Sequence, residues 1–241
     1  MKKLTVGYST LASRLEKISP PKSTEIETVI AVQKDKDIKA KSGLLVLSSM
    51  GVTKSRNAVI DATKTEYLLF ADDDIEINLD GVMKAIEYLD NHPEVSVLTG
   101  MVSDGEKPRK NYPSKVTRLN KFNSAKSATP EMMIRVSNIK AKDIYFDESF
   151  GAGSENYLGD EYIFVSDAIS KGLKAHFVPI TLSTHASDSS GTDWSEKSIQ
   201  ARARVFSRVF GGLALFAKLG FGIKNFKNFG FRNFLRFLFT W

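Results

Sequence analysis

The chain of 241 residues holds 34 Lys and Arg against 28 Asp and Glu, no cysteine, and 42% apolar residues. That length and apolar share suffice for a packed core and exclude a wholly disordered chain. The missing cysteine excludes disulfides, thiolate metal sites, iron–sulfur clusters and cysteine nucleophiles. Charge is unevenly divided, with −3 through Glu196 and +9 after it, and ten of the 16 Phe lie between Phe206 and Phe239. The sequence thus predicts a mildly acidic body, for which nucleic acid is not an expected partner, and a basic, Phe-rich tail.

From the N-terminus, Met1–Tyr8 carries a lysine pair but no apolar stretch of secretory-signal length. Leu4–Tyr8 reads as a buried strand and Leu11–Lys17 as the helix after it. Strands follow at Glu27–Gln33 and Ser42–Ser48, then a helix over Lys54–Thr63 capped by Thr53 or Ser55. The strand Glu66–Phe70 runs into Asp72-Asp73-Asp74. Asp80 opens a helix to Asn91, with Val82, Ala85, Ile86 and Leu89 at i, i+3, i+4 and i+7. Val95–Thr99 is a further strand. Residues 103–130 are polar and Pro-bearing, with no period, and read as a long loop or excursion of a length that is usually functional or mobile. Met132–Val136 is a strand, Tyr162–Lys171 a helix ended by Gly172, and Ala175–Val178 a short last strand. This alternation predicts an α/β fold around a mostly parallel sheet flanked by helices.

Three segments carry chemistry. Three carboxylates at the end of an apolar strand repel one another, and a divalent cation such as Mg²⁺ or Mn²⁺ relieves that repulsion; a solvated acidic turn is the alternative. Gly159-Asp160-Glu161 opens a helix, where the carboxylates either complement the helix dipole or supply a general base. Ser55-Arg56-Asn57 could hold phosphate or sugar hydroxyls, or be ordinary surface residues. Among the histidines, His92 and His176 read as structural, and His185, in a Ser/Thr-rich stretch, as a possible metal ligand. Gly151-Ala152-Gly153-Ser154 lacks the spacing and the Lys of a phosphate loop, which argues against nucleoside triphosphatase chemistry.

The order of these segments resembles the family 2 glycosyltransferases, inverting enzymes of the GT-A fold that use nucleotide-diphospho-sugars. The likeness runs from residue 4 to about 191. It rests on Tyr8-Ser9-Thr10, on Gly51 to Ala58 leading into Tyr67 to Asp74, on Phe146-Asp147-Glu148-Ser149-Phe150-Gly151, on Gly159-Asp160-Glu161 and on Lys171 to Ala175. The resemblance implies a GT-A catalytic domain over 1–196, with a nucleotide-binding half (1–100) and an acceptor-binding half (101–196). It implies Mn²⁺ or Mg²⁺ held by Asp74, Asp72 and His185. Ser9, Thr10, Arg14, Gln33, Arg56, Asn57, Asp72 and Asp73 would bind the nucleotide-sugar, a UDP-sugar by expectation. Asp147, Glu148 and Gly151 would border the acceptor. The family usually writes its late acidic pair as Glu-Asp with Asp as the base. Here the pair is Asp160-Glu161, so Glu161 takes that role by register and Asp160 stands as the second choice. The implied activity is inverting hexosyl transfer to a glycan or lipid-linked acceptor in surface polysaccharide synthesis. An inactive GT-A-like module that binds a nucleotide-sugar or a partner is the alternative.

In the tail, residues 197–241, no run approaches the roughly 20 apolar residues of a bilayer span. Phe231, Phe234, Leu235 and Leu238 recur at helical spacing, with Arg232 and Arg236 on another face. That pattern predicts an amphipathic helix drawn through residues 202–241 to an anionic membrane surface. A helix packed on the body, or one that binds a partner, is the other reading. The expected location is cytoplasmic, peripheral on the inner face of the cell membrane.

Overall fold

The computed structural model describes residues 2–34, 36–38, 43–185 and 194–240. Its sheet runs β3-β2-β1-β4-β8-β6-β9-β5, where β1 is Leu4–Leu11, β2 Ile26–Gln33, β3 Leu44–Leu47, β4 Tyr67–Asp72, β5 Glu76–Ile77, β6 Val95–Ser103, β8 Met132–Arg135 and β9 Lys174–Thr184; the short β7, Thr117–Arg118, pairs with β9. The long pairings β1–β2, β1–β4, β2–β3 and β6–β9 are parallel. The short β8 lies antiparallel between β4 and β6, and β5 and β7 are antiparallel to β9.

Side-chain alternation divides the core into two layers. On β4, Tyr67, Leu69 and Ala71 join one layer with Val82, Ala85, Ile86 and Leu89 of α2 (Leu79–Asn91). Leu68 and Phe70 join the other, with Val59 and Ile60 of α1 (Val52–Ala62) and Phe164, Val165 and Ala168 of α4 (Asp160–Ser170). Helix α1 crosses β1 so closely that a Cβ on Gly7 would lie 2.1 Å from Val59 Cγ1, which requires glycine there.

Several local expectations are corrected. Thr53 and Ser55 lie buried inside α1, and the helix starts after Gly51 (φ 124°) without a side-chain cap. The α2 cap is Asn78, which accepts from the Gly81 amide at 3.1 Å, and Asp80 sits in the first turn. Residues 12–17 form a 3₁₀ helix rather than an α-helix. Strand β9 passes through Pro179 to Thr184, because its neighbour β6 pairs with it through irregular register steps. A short helix, α3 (Val136–Ala141), begins where β8 ends.

The tail folds as α5 (Glu196–Phe210), α6 (Ala214–Lys224) and α7 (Phe226–Phe239), with a kink at Gly230. Helix α5 packs on the body: Val205 and Val209 cluster with Phe150, Tyr162 and Ile163. Arg208 pairs with Asp147 and Asp167, each at 2.8 Å. Ile199, Ala203 and Phe206 form a second cluster with Phe229 and Phe237 of α7. The spacing-based face of α7 is only partly free. Leu238 is buried and Phe234 lies against Gly222 and Phe226, whereas Phe231 and Leu235 are exposed. Both sides of this helix are apolar, so spacing alone does not tell the inner side from the outer.

Candidate functional site

The parallel register sets the ends of β1, β2 and β4 side by side, with Ser9 opposite both Ala31 and Asp72. The three aspartates after β4 diverge from there. Asp72 turns to Arg56, at 3.3 Å. Asp73 is buried, accepting from Thr10 Oγ1 at 2.6 Å and pairing with Arg14 at 2.5 Å. Asp74 is the outermost, with Arg14 at 2.9 Å and His185 Nε2 at 3.1 Å. The His185 contact follows from topology: β5, just past Asp74, pairs with Ser183 and Thr184 at the end of β9. The Ser/Thr-rich residues 186–191 after His185 lie outside the described residues.

Arg56 is the hub of the second group. Buried in α1 and lying 5.5 Å from the centre of the Phe146 ring, it pairs with Asp72, with Asp160 in a short contact, and with Glu161 at 3.5 Å. It therefore joins the end of β4 to the start of α4. Three carboxylates around one guanidinium leave the group net negative. Burial alone would push the Arg56 pKa down, but Asp160, Asp72 and Glu161 outweigh that and keep it protonated.

The two carboxylates of the late pair are held differently. Asp160 is sealed, with its side chain 5% exposed. Burial, and then the neighbouring Glu161 charge, push its pKa up to about 7 against the pull of Arg56. The Glu161 side chain is 20% exposed and accepts from Thr129 Oγ1 at 2.6 Å. Burial would raise its pKa too, but Arg56 and the Thr129 hydroxyl overcome this and hold it below the ordinary value. Burial raises Asp72, with Arg56 opposing. At neutral pH Glu161 is the charged, reachable member of the pair, and the buried Asp160 carboxyl is the one that holds a proton more tightly.

Other sequence-predicted residues have internal work. Gln33 Oε1 accepts from the Gly51 amide at 2.7 Å, fixing the entry to α1. Asn57 spends its amide on the Phe146 backbone, accepting at 2.8 Å and donating at 3.0 Å, and reaches Glu148 at 3.3 Å. Asp147 is drawn out to Arg208, which keeps its pKa low although burial opposes. Gly151 (φ 93°) lets the chain pass Asp160, since a Cβ there would lie 3.0 Å from its Cγ. Thr129 was invisible as a site residue in the sequence, because nothing in the aperiodic stretch 103–130 links it to Glu161.

Residues 41–145 match the profile of the family described as Glycosyl transferase family 2. The matched segment is similar to family 2 glycosyltransferases and spans under half of the chain. That segment contains Arg56, Asn57 and the three aspartates, whereas Asp160, Glu161 and His185 lie beyond it. No curated protein matches the chain. Among solved structures, S. aureus TarS aligns with 93% of the chain and 43% of its own, at 18% identity and a TM-score of 0.61. TarS 1–349 in complex with UDP aligns at 20% identity and 0.58, and in complex with UDP-GlcNAc at 18% and 0.61. Each of these two alignments covers 93% of this chain, with 72% and 73% of TarS 1–349 respectively. The chain therefore has the GT-A fold of these structures and spans less than half of the first TarS chain.

Proposed function

We propose that this chain is a glycosyltransferase that moves a sugar from a UDP-sugar to a hydroxyl of a glycan or lipid-linked acceptor in surface polysaccharide synthesis, with inversion. The carrying observation is the Arg56 hub, which ties the acidic end of β4 to the Asp160-Glu161 pair at the sheet edge where open α/β folds bind ligands. Support for the nucleotide comes from the UDP and UDP-GlcNAc complexes of TarS, a protein of the same fold.

In this reading Ser9, Thr10 and Arg14 face the nucleotide, and the Arg14 guanidinium offsets phosphate charge. Asp74 and His185 fit a hard divalent cation, since a carboxylate oxygen and an imidazole nitrogen converge at 3.1 Å and Asp74 is solvent-accessible. Among the described residues no three acidic or histidine side chains form a ready cage, so diphosphate and water would complete the coordination. Bound there, Mn²⁺ or Mg²⁺ would supply Lewis-acid stabilisation to the leaving diphosphate. Glu161 takes the proton of the acceptor hydroxyl as its oxygen attacks the anomeric carbon. The carbon–oxygen bond to the diphosphate breaks on the opposite face, and UDP leaves. Thr129 and Arg56 hold Glu161 in place throughout.

The test is calorimetry of UDP binding with Mn²⁺ and with chelator, for the wild-type chain and Asp74→Ala. Binding should need the cation, and Asp74→Ala should remove the cation-dependent part while the melting temperature holds. Equal affinity under both conditions would remove the metal role.

A further inference from the structure

Helix α6 is inverted. Its one mid-helix cation, Lys218, is fully buried and donates to Ser207 Oγ at 2.7 Å and to the Thr240 carbonyl at 2.5 Å. A neighbouring face shows Leu215, Phe216, Leu219 and Ile223 to solvent, with Phe216 72% and Ile223 63% exposed. These four positions fall within about 100° of arc on a 3.6-residue helix. An isolated exposed Leu means little, but a contiguous apolar stripe beside a buried lysine reverses the ordinary soluble pattern. Exposed Leu213 lies just before α6, and exposed Phe122, in the long excursion, has its ring 5.2 Å from that of Phe210 at the end of α5. The same excursion supplies Thr129, the partner of Glu161.

We infer that α6 and Phe122 form a docking surface for an anionic lipid bilayer, lying in its headgroup boundary. Charge complementarity selects this occupant. No acidic residue follows Glu196, and exposed Lys224, Lys227 and Arg232 flank the apolar stripe. A lipid surface meets both an apolar stripe and its basic border.

Spanning is a poorer fit. The helical stretch Glu196–Lys224 is long and apolar enough to cross a membrane by length and composition, unlike the expectation from apolar runs alone. But Gly211 (φ 53°, ψ −125°) breaks it. Arg208 and Val205 pin the first half to the body. The remaining 11 residues of α6 reach about 16 Å, roughly half a hydrocarbon core.

The experiment is co-sedimentation of the full chain with phosphatidylcholine vesicles, with and without phosphatidylglycerol, at low and high salt. Binding should require phosphatidylglycerol and weaken with salt. Phe216→Ser with Ile223→Ser should lower vesicle affinity by about tenfold or more, since each large apolar side chain contributes that much when desolvated. Melting temperature and UDP binding should stay unchanged. Lys224→Glu with Lys227→Glu is a second variant, which should lose the phosphatidylglycerol dependence whatever the first does to folding. Absence of binding to anionic vesicles overturns the proposal, as does undiminished binding by both variants. Self-association in ultracentrifugation that the serine variant abolishes, without vesicle binding, would instead assign the stripe to a second copy. The readout involves no sugar transfer, so it stands or falls apart from the catalytic reading.

Discussion

Asp160 and Glu161 are neighbours in sequence with opposite electrostatics, and that difference makes their roles separable. Glu161→Gln keeps the shape and the Thr129 contact but removes the proton acceptor. UDP binding should survive while transfer falls by about 10²–10⁴-fold, the usual worth of a positioned base. Asp160→Asn should cost less, because its side chain stands behind Arg56 and out of reach of an acceptor. Reversed effects in a transfer assay would make Asp160 the base. Asp160 also makes stability pH-dependent. Its folded pKa of about 7 lies above the ordinary aspartate value of 3.8, so the native state binds its proton more tightly than the unfolded chain does. The stability from this proton is full below the unfolded value and is lost as pH rises through about 7. Asp160→Asn should flatten the melting temperature across that window, which a thermal scan at a series of pH values reads directly. The sequence order made the acidic pair and the three aspartates legible as a set. It could not say that Arg56 and Asn57 serve carboxylates and backbone, because those partners lie 104 and 89 residues away.

At the scale of elements, the start of α4 is where the Asp160-Glu161 pair meets the tail. Gly159 caps α4 at φ 88°, and a Cβ there would lie 2.5 Å from Val205 Cγ2 of α5. Gly159→Ala should therefore destabilise twice. The left-handed backbone costs a residue with a Cβ about 1–2 kcal/mol, and overpacking against Val205 adds roughly 1–3 kcal/mol. Val205→Ala in the Gly159→Ala background should return the second part and leave the first. Denaturant unfolding of the two variants separates them, and no recovery in the double variant would refute the α4–α5 contact as the source. The strands and α2 were readable because period-2 and period-3.6 apolar patterns leave a local trace. β5, β7 and α3 left none, since they span two, two and six residues. Yet β5 is what carries Asp74 to His185, so the element hardest to read is one that assembles the site.

At the scale of the whole molecule, the charge division marked the basic end of the chain but not its attachment. A tail that only gripped lipid could be removed without disturbing the body. The structure predicts otherwise. Removing residues after Arg208 deletes Val209 from the cluster under α4 and uncovers Ile199 and Phe206, which α7 covers with Phe229 and Phe237. Each large apolar side chain returned to water costs about 1.5–3 kcal/mol. For a domain of this size the melting temperature should fall by on the order of 10 °C. The Phe216→Ser, Ile223→Ser variant changes only side chains that already face solvent, where substitutions stay within about 0.5 kcal/mol. Thermal unfolding of the two proteins side by side should show a large drop for the truncation and almost none for the surface variant. A truncated chain that melts with the full-length one would mean that α6 and α7 form a detachable arm and that their contact with α5 adds nothing to the body.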